Sequence, residues 1–227
     1  MSELADLLDK YVAHHRAFGV PFEKAPPVSD AEVAEVEDLI GASISASVLE
    51  LWRWSNGCAE VPLKRRVNQP PLFMNGMHFW SLKKSARKMI ELMEPGGFSD
   101  LPAEDARLRG LVEPLPGLMI ADCFETLEAV VSLRESDAGS VWLWMHYGLG
   151  CRRCFDSIED FVRLQISFYE AGVVTGPDFP YEDAGYVQPE VPRGAEGLEA
   201  IDIPKPWLAT WYPRAWIDAD EADNNGR

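Results

Sequence analysis

Two thiols three residues apart, in Cys151-Arg152-Arg153-Cys154, are the sharpest chemical feature of this 227-residue chain. Arginines between paired cysteines lower the thiolate pKa and favour disulfide exchange. A zinc ion held there would need two more ligands, from His146, Cys123 or His78. No second pair exists, and the spacing places the two cysteines on opposite faces of a short strand. Structural cysteines are therefore expected, with no metal, no cofactor and no catalytic residue. Gly148-Leu149-Gly150 followed by Cys154 misses the phosphate-cradling GxGxxG pattern, because only glycine at the third position lets a helix approach closely. His14, His15, His78 and His146 show no HExxH spacing, and no GxSxG nominates a nucleophile. Lys64-Arg65-Arg66, Lys83-Lys84 and Arg87-Lys88 read as solvated faces or as partners of the protein's own acids.

Charge and aromatic content point to binding. There are 37 acids against 21 bases, a net charge of −16 with neutral histidines. Such a surface repels nucleic acid and anionic membranes and attracts basic partners. Eight tryptophans are many for this length. Trp142 and Trp144 share parity on a predicted strand and so share a sheet face. Trp52 and Trp54 lie about 200° apart around a predicted helix, so only one of them should be fully buried. Exposed tryptophan ringed by carboxylates is the composition of a protein-binding hot spot. By residue type the candidates are Trp54, Trp80, Glu60, Trp211 and Trp216.

The elements that must position these residues are read from periodicity. Leu4, Leu7, Leu8, Tyr11 and Val12 predict a helix over 2–18. Ser29-Asp30-Ala31-Glu32 reads as a capping box for a helix stopped by Gly41. A second helix, with Val48, Leu51 and Trp52 inward, ends at Asn56-Gly57, and the two form a predicted helical hairpin. Residues 61–76 read as a loop, His78 to Trp80 as a short strand, and Ser81 as the cap of a helix carrying Ala86 and Met89. Three apolar runs (118–121, 127–133 and 141–145) predict an antiparallel meander, with 151–155 as a fourth strand. Ser157 then caps a last helix with Phe161 inward. Residues 170–227 carry twelve acids, four bases and seven prolines, yet include Trp207, Trp211, Tyr212 and Trp216. Aromatics are rare in disordered chains. An extended acidic arm that packs its tryptophans is expected. The fold class predicted is α+β, with N-terminal helices and a capped C-terminal helix on a mainly antiparallel sheet. Its units are an N-terminal helical extension (1–28), a core domain (29–169) and the arm (170–227). The acidic N-terminus, the lack of an apolar run of about 18 residues and the few cysteines predict a cytoplasmic protein.

The stretch from Ser29 through Glu37 and Gly41, then Ile44 to Leu51 and Asn56-Gly57, resembles the opening signature of the SUKH superfamily. That group includes yeast Smi/Knr-type cell-wall regulators and many bacterial immunity proteins. Asp156 to Phe161, with Ser157 as its cap, resembles the family's closing helix. The resemblance covers about 29–169. Ser45 stands where the family usually has proline, and 61–116 do not align by eye. The matched residues are structural, and fold alone does not give function. The resemblance implies a non-enzymatic binding protein. Bacterial members neutralise toxins, often nucleases, by direct contact, so the implied partner is a basic cognate toxin domain. The alternatives are a housekeeping scaffold or regulator without a toxin, and a CxxC thiol or zinc protein.

Overall fold

Serine caps start most of the helices in the computed structural model. It describes residues 2–59, 61–63, 66–68, 72–73, 77–93, 117–123, 127–145, 150–175 and 200–203, with backbone placement alone at 61–63, 66–68, 92–93, 122–123, 127, 144–145 and 150–152. Helix α1 (Glu3–Ala17) begins at Ser2, whose hydroxyl accepts from the Ala5 N–H. Helix α2 (Asp30–Ile40) begins at the Ser29–Glu32 capping box, and α3 (Ala46–Trp54) at Ser45. Strands β1 (Val61–Leu63), β2 (Arg66–Asn68) and β3 (His78–Phe79) lead into α4 (Leu82–Met93). Then come β4 (Gly117–Cys123), β5 (Leu127–Ser132), β6 (Val141–Met145), β7 (Gly150–Phe155) and α5 (Ile158–Glu170), which is capped by Ser157. The class is α+β, as expected. Among the described residues no helix is long and apolar enough to cross a membrane.

Strands β3 to β7 form one antiparallel sheet in sequence order. Alternation sorts its residues between two faces. Leu118, Ile120, Ala129, Val131, Val141 and Leu143 enter the main core, which they share with α1, α2, α3, α5 and, through Leu82 and Ala86, α4. Met119 and Val130 belong to a separate small cluster with Met89 of α4, and Trp80 packs against it. Register shifts between Met119 and Ala121 in β4, and at Cys154 in β7, add one residue to each strand.

Ser29, Glu32 and Asn56 meet at one junction. The Ser29 hydroxyl accepts from the Glu32 N–H, and the Glu32 carboxylate accepts from the Ser29 N–H. Asn56 donates to the other Glu32 oxygen and accepts from the Leu82 N–H at 2.8 Å. One amide thus ties the start of α2 to the start of α4. Glu37 accepts from the Ile44 N–H at 2.7 Å and holds the turn after Gly41, which closes α2 at φ +67°. The Ser29 N–H, its hydroxyl and Asn56 hold the Glu32 carboxyl below its ordinary value of 4.5. A depressed carboxyl contributes stability that is present above that value and lost as pH falls through the folded one. Ser29→Ala is expected to cost about 1 kcal/mol in urea unfolding. The wild-type advantage over Glu32→Gln should disappear in acid. An advantage independent of pH would remove the carboxylate from this account.

Several sequence expectations need correction. Helix α1 is no extension: Leu4, Leu8 and Tyr11 are buried in the main core. The predicted helical hairpin is not a packed pair, since α2 packs chiefly on α4 and α3 on α1. Helix α3 ends at Ser55 in extended backbone, and the left-handed residue, Gly57 at φ +89°, comes two positions later. Residues 61–63 and 66–68 pair as a hairpin, not a loop. Three-residue strands hold too little alternation to be read.

Candidate protein-binding face

The face of the sheet opposite the main core carries Glu128, Trp142 and Arg153 beside Met119 and Val130. Cross-strand register places His78 opposite Asp122, Asp122 opposite Glu128, Glu128 opposite Trp144 and Trp144 opposite Cys151. His78, Asp122, Glu128, Trp144 and Cys151 thus share one backbone row across five strands. Strands lie about 4.8 Å apart, so Cys151 is roughly 10 Å of backbone from Glu128, as His78 is on the other side. The next row runs Met119, Val130, Trp142 and Arg153. Glu128 is 3% exposed, a buried acid in an apolar strand.

Trp80 and Trp142 flank this face, both partly buried. The Trp80 carbonyl accepts from the Trp52 indole at 2.9 Å, which fixes β3 to α3. The Trp80 ring lies 6.0 Å from His78, nearly parallel, with the Lys84 ammonium 3.1 Å from its centroid. A cation over an indole contributes about 0.5–1 kcal/mol at such a site. The Trp80 indole N–H is buried without an acceptor among the described residues. At the other end, the Trp142 N–H donates to the Ser140 hydroxyl at 3.0 Å, and the Arg134 guanidinium sits 5.2 Å from the ring. Asp137 holds that guanidinium at 2.8 Å and accepts from the Ser132 hydroxyl. Burial raises the Asp137 carboxyl, but the bonds from Ser132 and Arg134 outweigh it and leave the group below its ordinary value.

Of the expected anchors, Trp80 lies on this face. Trp54 does not. It is 8% exposed, stacked 5.7 Å from Phe22, and its indole donates to Asp9 at 2.8 Å. Trp52 and Trp54 are both buried because α1 and the segment after it cover the second side of α3. Glu60, Trp211 and Trp216 lie outside the described residues. Ser29, Glu37, Gly41, Asn56, Gly57 and Ser157 hold caps and turns, and Phe161 is fully buried. Among the described residues the cations Lys84 and Arg134, rather than carboxylates, stand over Trp80 and Trp142. Exposed acids include Asp30, Glu35 and Asp38 on α2 and Glu135 and Asp156 near the Trp142 end. Glu128 is absent from the residues that sequence reasoning singles out. Its signal is a charge at the parity of Val130 inside an apolar run.

The thiol pair is split. Cys151 faces Trp144 in register, whereas Cys154 falls at the register shift and packs against the main core. Burial pushes the Cys58 thiol up to about 12, too high for a nucleophile at neutral pH. His15 is buried, with Nδ1 2.7 Å from the Tyr169 hydroxyl, a core pairing between α1 and α5. Among the described residues no group of three His, Cys, Asp or Glu is placed to hold a metal ion. The chain matches no family model and no curated protein.

Proposed function

We propose that this chain is a SUKH-like, non-enzymatic binding protein of the cytoplasm, an immunity protein that neutralises a basic toxin domain by covering it. The observation that carries this reading is the pair of partly exposed tryptophans, Trp80 and Trp142, flanking one sheet face of a protein with net charge −16. Large rigid rings supply most of the energy of a protein contact. The long-range field supplies speed: steered association reaches about 10⁸ M⁻¹s⁻¹ at low salt. An immunity protein needs that speed, because it must reach its toxin before the toxin reaches its substrate.

The test uses the basic toxin domain that the proposal requires, sought among the genes beside this one. In stopped-flow mixing, the association rate should fall at least about tenfold from low to molar salt. Trp80→Ala and Trp142→Ala should each weaken binding by about thirtyfold, close to 2 kcal/mol. A salt-independent rate, or wild-type affinity in both variants, overturns the proposal.

A further inference from the structure

Helix α5 turns Asp160, Arg163, Leu164, Ser167 and Glu170 toward a groove of about 640 Å³. The opposite wall is the returning segment 200–202, and Phe155 of β7 lies at the groove. The floor is apolar: Phe155 and Leu164 are 5% and 6% exposed, and Ile201 packs beside them. The rim is acidic, formed by Asp160, Glu170 and Asp202. Arg163, at the rim, donates to Asp160 at 2.7 Å and to Glu3. That guanidinium is already shared between two carboxylates and offers little to an incoming anion.

Apolar floor and acidic rim together specify an occupant. A second copy of this chain carries net charge −16, and residues 170–227 hold twelve acids against four bases, so both have the wrong sign. A small anion is excluded by the same rim. We infer that the groove receives a basic amphipathic segment of the protein partner. An apolar side chain rests on Phe155, Leu164 and Ile201 while lysine or arginine reaches Asp202 and, in exchange for Lys10, Glu170. Asp160 stays with Arg163 and the Ser157 hydroxyl. The exposed pair between Lys10 and Glu170 is no obstacle, because such pairs contribute about 0–1 kcal/mol and exchange readily. This inference deepens the proposed function and rests on its reading of the partner as basic.

The experiment titrates the full-length, ¹⁵N-labelled chain with the peptide (Lys-Leu)₄ and, separately, with (Glu-Leu)₄. Amide shifts at Leu164, Ser167, Ala171 and Ile201 are expected with the basic peptide and none with the acidic one. Ala171→Trp, built from an exposed position on the groove wall, should weaken (Lys-Leu)₄ by about tenfold or more. Ala34→Trp, exposed on α2, should leave it unchanged. No shifts, shifts centred on Trp80 and Trp142, or an Ala171→Trp protein that binds as wild type would each overturn the inference. The toxin domain separates the two claims. If it binds wild type and Ala171→Trp equally, the groove fails and the proposed function stands. If (Lys-Leu)₄ fills the groove and no basic toxin domain binds, the groove stands and the proposed function fails.

Discussion

Gly57→Ala should lower stability by about 2–4 kcal/mol, read as a fall in the urea midpoint at unchanged slope. Two effects add. Gly57 has φ +89°, a left-handed conformation that costs a residue with a Cβ roughly 1 kcal/mol. Steric contact costs more: an added Cβ would stand 2.8 Å from the Ser81 nitrogen and 3.3 Å from the Trp80 carbonyl carbon. Both are backbone atoms and cannot swing aside. The chain between β3 and α4 would have to move, pulling the Leu82 N–H from Asn56 and disturbing the base of the Trp80 ring. Gly41→Ala is the control, since Gly41 has φ +67° and nothing within 4 Å of its Cβ position. It should lose only about 1 kcal/mol. Equal losses in the two proteins would show that contact at Ser81 does not matter.

Phe161→Ala should be the costlier change, at about 3–5 kcal/mol. Its ring is fully buried and meets Phe73 edge-on at 5.0 Å and Phe155 at 5.4 Å. Three elements share this contact: α5, the residues before β3, and β7. Removing the ring leaves a cavity that a sheet edge and a helix cannot both close. Phe161→Leu keeps most of the volume and should lose clearly less. A Phe161→Ala protein within about 1 kcal/mol of wild type would mean that the site collapses freely.

Local rules make much of this fold legible. Ser29, Ser45 and Ser157 precede helices with their hydroxyls on the third N–H beyond, and capping depends on residues a few positions apart. The meander is readable because β-branched runs alternate with turn residues. Long-range partnerships are not readable. The bond from Leu82 to Asn56 spans 26 residues, and Asn56 therefore caps a helix other than the one it follows. Trp54 looks available in a helix projection, which cannot show that Phe22 will stack on it. Glu128 stays hidden because a single acid in an apolar run carries no motif. Trp80 stands out by residue type, but its neighbours do not follow from composition, which counts carboxylates without saying where they stand.

The extra residue in β7 has a consequence for solubility. Among the described residues β7 is the outer strand of the sheet, and Cys154 breaks its register beside the exposed Arg153. A kinked border that carries the exposed Arg153–Asp156 ion pair is a poor template for another chain's ladder. Concentrated solutions should therefore resist growth of amyloid-like ribbons from this margin, and straightening it by deleting Cys154 should remove that protection.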